Sequence, residues 1–416
     1  VELVLGDSVT HVSRQAQTVT TEQGRKFRYD CLILATGSYP FVPPIEGNDL
    51  PGCLVYRTLN DLDAIRRAAA GKARGVVVGG GLLGLECANA LKNLGLETSV
   101  VEFASGLMGV QLDEEGSNCL RNHVEALGVN VLTSKATQQI QSGKDGLVMH
   151  FADDTSLTTD VIVFSAGIRP WDNLARDCGL DVGERGGVVV DQHCVTSDPN
   201  ILAIGECALY EGRIFGLVAP GYRMAEVAAS RLLGGDGVFR GADMSTKLKL
   251  LGVQVGSIGD AHGVAPGALS YTYRDPRKNT YLRLNISADA KKVVGAVMVG
   301  DTERYDQILQ YFLNELALPE APETLILPDS GGGPLLAADQ LPMTAAICSC
   351  HNVTKGAVID IMADGHLALG DIKAATKAST GCGGCAALLK TVVDDELTRL
   401  GVEVDQSICE HFKFTR

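Results

Sequence analysis

The chain has 416 residues, too many for a single core, so two or more domains are expected. Its formal charge of -14 and the lack of any Lys/Arg run exclude a phosphate-backbone partner, so nucleic acid is not an expected ligand. No stretch of about 20 uninterrupted apolar residues occurs, and the N-terminus lacks the charged and apolar regions of an export signal. A soluble, cytoplasmic protein without membrane association is expected.

In chain order, Val1-Glu2-Leu3-Val4-Leu5 reads as a strand that opens without a methionine, and the chain is read as a fragment. Residues 1–56 read as short strands, ending in the apolar run Cys31-Leu32-Ile33-Leu34-Ala35-Thr36-Gly37 and a proline-rich exit from Pro40 to Pro44. Residues 57–170 carry strand, helix, strand, helix, strand from Gly75 to about Leu132, which implies a parallel sheet with right-handed crossovers. A hairpin insertion at 133–170 closes on Ser165-Ala166-Gly167. Residues 171–240 end in a helix expected over 221–233. Residues 241–327 alternate as strands at 282–286 and 293–299 before a helix over 305–316, the pattern of a small α+β domain. The composition of 328–342, with Gly331-Gly332-Gly333, is that of a linker. A last unit, 343–405, reads as short helices around clustered cysteines.

Val76-Val77-Val78-Gly79-Gly80-Gly81-Leu82-Leu83-Gly84 is a buried strand running into G-x-G-x-x-G and then a helix expected over 82–94. Gly79 permits the tight turn, Gly81 lets the backbone approach a pyrophosphate, and Gly84 lets helix and strand pack closely. Amides at the helix start then face the phosphates. Glu102 ends the next strand, where a carboxylate accepts hydrogen bonds from a ribose 2′-hydroxyl and repels a 2′-phosphate; NADH is therefore expected over NADPH.

Of the twelve cysteines, seven stand singly in apolar surroundings (Cys31, Cys53, Cys87, Cys119, Cys178, Cys194 and Cys207) and read as small core residues. Four form two tight pairs, Cys348/Cys350 and Cys382/Cys385, giving C-x-C, a gap of 31 residues, then C-x-x-C. Four thiolates ligate either zinc or an iron-sulfur cluster, so ligand count leaves both open. The second pair opens a helix expected over 386–400, with Gly383 and Gly384 allowing close approach and Lys373 and Lys377 adding positive charge upstream. His351 reads as a surface histidine, and Cys409 and His411 are assigned no role.

The order Ala35-Thr36-Gly37, NAD fingerprint, Ser165-Ala166-Gly167 and Ile204-Gly205-Glu206-Cys207 resembles the two-dinucleotide-binding flavoprotein reductases. The resemblance implies an α/β fold of FAD- and NAD-binding Rossmann-like domains, with Ala35, Thr36, Gly37, Gly167, Gly205 and Glu206 at FAD. Glu206 stands where that family usually has Asp, whose carboxylate binds a ribityl hydroxyl. The family's earlier G-x-G-x-x-G, which receives the ADP half of FAD, is missing upstream of Ala35, and no closely spaced redox cysteine pair precedes Cys348. The four-cysteine pattern resembles the bacterioferritin-associated ferredoxin fold, which implies a helical domain with a [2Fe-2S] cluster on Cys348, Cys350, Cys382 and Cys385.

Gly205-Glu206-Cys207, Gly216-Leu217-Val218-Ala219-Pro220-Gly221-Tyr222 and Ser245-Thr246-Lys247-Leu248-Lys249-Leu250-Leu251-Gly252 resemble the large subunit of assimilatory-type NAD(P)H nitrite reductases over essentially the whole chain. That resemblance implies hydride transfer from NADH to FAD, then single electrons to [2Fe-2S] and on to a sirohaem and [4Fe-4S] centre beyond Arg416, where nitrite becomes ammonium. The implied partners are NADH, the downstream sirohaem domain and a small subunit, with a homodimer left open. Glu86 resembles the family residue near the nicotinamide; a solvent-facing helix carboxylate is the other reading. Two alternatives stand beside this: a rubredoxin- or ferredoxin-type NADH reductase, and a zinc-stabilised binding protein without catalysis.

Overall fold

The computed structural model describes residues 2–328, 339, 341–348, 351–381, 383–402 and 404. Most of the linker with Gly331-Gly332-Gly333, together with Cys350, Cys382, Cys409 and His411, lies outside the described residues. A meander of β1 (Val9–Ser13), β2 (Thr18–Thr21) and β3 (Lys26–Arg28) leads to β4 (Leu32–Leu34), β5 (Ser38–Pro40) and β6 (Cys53–Val55). The strand expected at the start is not formed over residues 2–5. Leu3 and Leu5 are both 77% exposed, so the apolar run there gains no buried face to stabilise a strand.

Helices and strands then alternate: α1 (Leu59–Ala69), β7 (Arg74–Val78), α2 (Leu82–Asn93), β8 (Glu97–Val101), α3 (Glu114–Ala126) and β9 (Val129–Leu132). An antiparallel sheet of β10 (Thr137–Gly143), β11 (Gly146–Phe151) and β12 (Ser156–Thr159) is inserted before β13 (Val161–Phe164) and β14 (Ile168–Pro170). The parallel sheet has the order β6-β13-β7-β8-β9. Its central strands are covered on both faces, which is why Val76, Val77 and Val78 form an unbroken apolar run rather than alternating with polar residues.

After α4 (Asn173–Asp177) come β15 (Val188–Val190), β16 (Ile201–Ala203), β17 (Ala208–Tyr210) and α5 (Val218–Leu232). β16 returns to pair in parallel with β4, and β14 pairs antiparallel with β5, so the segments on either side of the NAD-type sheet are brought together. α5 starts three residues before its expected start at 221. Pro220 in its first turn has no N–H to lose, so it does not delay the helix.

β18 (Thr246–Leu250), β19 (Val253–Gly259), β20 (Leu269–Asp275), β21 (Thr280–Ile286) and β22 (Val293–Val299) form an antiparallel sheet, order β18-β19-β22-β21-β20, followed by α6 (Tyr305–Leu313). α6 ends before the expected 316 because Glu315 takes φ +48, in the left-handed region, while Asn314 Nδ2 donates to the Gln310 carbonyl at 3.2 Å. One face of this sheet packs on α6 through Ile308 and Tyr311. The other face shares a core with the NAD-type unit: Val253, Val255, Tyr281, Val297 and Val299 cluster with Leu112, Leu120 and Val124.

The last unit comprises β23 (Ala346–Cys348), β24 (Val353–Thr354), α7 (Lys355–Ala363), α8 (Leu369–Thr376) and α9 (Ala386–Arg399) around Val358, Ile372, Leu389 and Val393. The Ala346 N–H donates to Asn314 Oδ1 at 2.9 Å, joining it to the end of α6. No helix among the described residues is long and apolar enough to cross a membrane.

Because α3 belongs to two packing units at once, Leu120→Ala, at a position with 0% exposure, is expected to cost about 2–5 kcal/mol. Amides of β7 and of β21 should lose protection in one transition when hydrogen exchange is followed. Protection of β21 surviving loss of β7 would show that the two units unfold separately.

Candidate functional site

The glycine fingerprint is built by close backbone contacts. Gly79 has φ +118, and a Cβ there would lie 2.3 Å from the Ser165 carbonyl oxygen. A Cβ on Gly84 would lie 2.0 Å from the Gly79 oxygen, so the approach of α2 to the turn after β7 requires glycine at both positions. Gly81 is different: it is the N-cap of α2, no side-chain hydrogen bond caps it, and a Cβ would meet nothing within 4 Å. Space is left beside helix amides that lack intrahelical partners, which fits a pyrophosphate.

Glu102 follows β8 and faces this opening. Its Oε2 accepts from the Gly80 N–H at 2.5 Å and its Oε1 from the Ala104 N–H at 2.7 Å. The carboxylate is therefore fixed at Gly80, the residue before the N-cap of α2, where a negative group would oppose a 2′-phosphate. Glu86 lies exposed in the second turn of α2. Tyr56 is its neighbour, and burial first and the Glu86 charge second raise the pKa of that phenol.

The flavin-side motifs also converge. Trp171 N–H donates to the Gly37 carbonyl at 2.9 Å, Thr36 Oγ1 donates to the Trp171 carbonyl at 2.5 Å, and Phe41 N–H donates to the Gly167 carbonyl at 2.9 Å. Ala35-Thr36-Gly37 and Gly167 are thus placed together by the β5/β14 pair. Gly205 follows β16 at φ +74, and the Ile204 N–H bonds to the Leu34 carbonyl one residue from Ala35. Glu206 Oε2 accepts from Ser38 Oγ and, at 2.8 Å, from Arg57 Nη2. A Cβ on Gly216 would come within 3.1 Å of Glu206 Oε1, and one on Gly221 within 3.6 Å of Gly205 Cα. This small-residue cradle, with a fixed carboxylate on its wall, fits the ribityl chain of a flavin.

Ser38 and Arg57 were not singled out by sequence reasoning. Ser38 directly follows the Ala35-Thr36-Gly37 motif and was available as a polar neighbour. Arg57 sits just before the N-cap Thr58 of α1, and nothing in its local pattern marks a partner so distant in sequence.

At the cysteine site, Cys348 ends β23 with 2% exposure and Cys385 is the N-cap of α9. The two thiols meet. The pKa of Cys348 is lowered to about 5, first by a hydrogen bond from Cys385, with burial opposing and the backbone amides of Ser379 and His351 and the His351 charge assisting. Burial alone pushes the thiol of Cys87 up to about 12, and burial with the nearby Asp191 charge does the same to Cys194. A buried cysteine that favours thiolate is the donor a metal or iron-sulfur centre needs, and Gly383, at φ +76, turns the chain into α9. His351 Nε2 lies 3.3 Å from Thr380 Oγ1, on the surface side of the unit. The described residues thus supply two of the four expected ligands and bring them together across the fold.

A parallel sheet with a glycine cradle, a second cradle against the crossover strands, and a paired-thiol site define a dinucleotide-dependent flavoprotein oxidoreductase with an attached iron-sulfur unit. Residues 1–231 match the pyridine nucleotide-disulphide oxidoreductase family, and the chain belongs to it. Residues 245–315 match the rubredoxin NAD+ reductase C-terminal domain, and residues 346–395 the BFD-like [2Fe-2S] binding domain. FAD, NADH and a [2Fe-2S] cluster are the cofactors these units take.

The chain is 55% identical, over 100% of its length and 44% of the relative's, to the nitrite reductase [NAD(P)H] large subunit of Klebsiella oxytoca. It is 53% identical, over 100% of its length and 50% of the relative's, to the nitrite reductase (NADH) large subunit of Escherichia coli K12. It therefore spans about half the length of these curated relatives. Among solved structures, the NAD-dependent persulfide reductase of A. fulgidus aligns with TM-score 0.67 and 29% identity, over 76% of this chain and 64% of that one.

The two glycines separate packing from binding. Gly84→Ala should cost about 1–3 kcal/mol of stability by overpacking. Gly81→Ala should cost no more than about 1 kcal/mol as a poorer cap, yet weaken NADH about 10-fold, equal to ~1.4 kcal/mol, by filling the phosphate approach. Thermal melts paired with NADH fluorescence titration check both; unchanged affinity in Gly81→Ala would place the dinucleotide elsewhere.

Proposed function

We propose that this chain is the electron-input part of an NADH-dependent nitrite reductase large subunit. The observation that carries the reading is the meeting of Cys348 and Cys385 at the start of α9 in a chain that also builds a dinucleotide cradle. In this reading Gly79, Gly81 and Gly84 shape the pyrophosphate seat and Glu102 orients the adenosine ribose. Ala35, Thr36, Gly37, Gly167, Gly205 and Glu206 line the flavin side, with Arg57 and Ser38 fixing the Glu206 carboxylate. Glu86 is placed near the nicotinamide, and Cys348, Cys350, Cys382 and Cys385 are the cluster ligands. When bound, FAD divides a hydride into single electrons and a [2Fe-2S] cluster accepts them one at a time.

The units proposed are a flavin-binding domain from 1–56 and 171–240, an NAD-binding domain at 57–170, an α+β domain at 241–327, a linker at 328–342 and a cluster domain at 343–405. Beyond them we place a sirohaem and [4Fe-4S] segment and a small subunit, where nitrite is reduced to ammonium, in a cytoplasmic enzyme that admits a homodimer. The identity to nitrite reductase large subunits across the full chain supports this. The match of 245–315 to a rubredoxin reductase domain favours a second reading, delivery of electrons to a separate small carrier.

A visible spectrum with iron, sulfide and zinc analysis on anaerobically purified chain tests the input path. Iron and sulfide at about two per chain, the content of a [2Fe-2S] cluster, are expected, with bleaching by NADH only when FAD is present. Zinc without iron, or a cluster that NADH never reduces in the presence of FAD, would sink the proposal. Nitrite turnover by the full-length enzyme, against rubredoxin reduction by the same preparation, separates the two acceptors.

A further inference from the structure

Asp113 caps α3 and keeps only 7% of its surface exposed. Besides the Gly116 N–H at 3.0 Å, its carboxylate accepts two hydrogen bonds at 2.7 Å, from Tyr281 Oη and Arg283 Nη1. Both donors stand on β21 of the antiparallel sheet. Arg283 is itself fixed, with Nε donating to Asn285 Oδ1 at 2.9 Å and Nη2 to Ser270 Oγ at 3.1 Å.

The segment from 103 to 112 connects Glu102 to this anchor. Its Leu107, Met108 and Leu112 are buried, and the Met108 N–H donates to the Gly80 carbonyl at 2.9 Å. A Cβ on Gly80 would fall 2.6 Å from Leu107 Cδ2, and one on Gly106 would fall 2.4 Å from Ser117 Oγ, so the segment is pressed against both the fingerprint and α3. Met108 holds φ +50, a conformation that persists only where its surroundings fix it. One end of the segment therefore shapes Gly80 and Glu102, and the other is clamped from a different domain.

We propose that Tyr281 and Arg283 are positioning residues for dinucleotide binding: by holding Asp113 they fix the 103–112 segment, and through it the Gly80–Glu102 wall of the adenosine site. This rests on the reading of the fingerprint as the NADH site. Removing one partner of a nearly buried carboxylate leaves its charge undercompensated, and the capping turn is free to shift. A clamp that served only to glue two domains would change stability and leave the affinity of the folded chain untouched.

The test is titration of NADH, and separately of ADP-ribose, into the full chain carrying Tyr281→Phe, Arg283→Met, Arg283→Lys or Lys247→Met, with folding checked by circular dichroism. Arg283→Met should weaken NADH and ADP-ribose by the same factor, about 3- to 30-fold. Arg283→Lys should recover part of the loss, since it keeps the charge without the planar fork. Tyr281→Phe, which keeps the ring and its packing, should show a smaller loss and decides the matter if Arg283→Met does not fold. Lys247→Met breaks a 2.8 Å ion pair to Asp306 in the same domain and should leave affinity unchanged. Wild-type affinity in folded Tyr281→Phe and Arg283→Met, or an equal loss in Lys247→Met, would overturn the positioning role while leaving the NADH site standing. Failure of the wild-type chain to bind NADH or ADP-ribose would overturn both.

Discussion

The contact between Gly84 and the carbonyl of Gly79 sets the height of α2 above the sheet, and the dinucleotide end is arranged around it. With a side chain at either position the helix would ride outward, and the uncapped amides beside Gly81 would no longer face the end of β7. The same turn presses on the Ser165 carbonyl, so the end of β13 is fixed by the glycine turn as well as by its strand partners. From Ser165 the chain runs through Gly167 into β14, and so the glycine turn after β7 also helps to place Gly167 and its partner strand β5. One backbone contact thus ties together features that are far apart in the sequence.

Charge is used sparingly inside this acidic chain. Several ion pairs among the described residues are exposed on both sides, as with Arg121–Glu125 and Lys292–Glu315, and such pairs contribute about 0–1 kcal/mol. Among the more enclosed pairs are Arg57–Glu206, with side chains 32% and 19% exposed, and Arg283–Asp113, at 21% and 9%. Both join segments that belong to different packing units, and both involve a carboxylate that also accepts from a hydroxyl. Burying these groups is costly unless the partners arrive together, so each pair favours one relative placement of the units over its neighbours.

The parts of the site that depend on backbone geometry were legible in the sequence, because only glycine fits the close contacts at Gly79 and Gly84 and the left-handed turn at Gly205 favours it. Glu102 was legible because a strand end fixes where its carboxylate goes. The cysteine pairs were legible from spacing, and the structure brings Cys348 and Cys385 into contact, while Cys350 and Cys382 lie outside the described residues. Arg57 and Asp113 were not legible. Each acts through a partner more than a hundred residues away, and such a pairing leaves no periodic trace in the local sequence. The apolar residues at 3–5 misled for the opposite reason: the apolar run was present, but Leu3 and Leu5 had no buried face to use.

The main chain passes between the flavin side and the NAD side at β5 and at β14, and these two passages are bonded to each other in register, Tyr39 opposite Arg169. Such a ribbon bends across its width with little resistance, whereas stretching or shearing it breaks hydrogen bonds. Pro40 and Pro170, each with φ fixed by its ring, stiffen it further. Bending across this ribbon is therefore the easiest way for the two halves to shift against each other. Any opening of one half against the other would run through this ribbon, and so would the closing that reverses it.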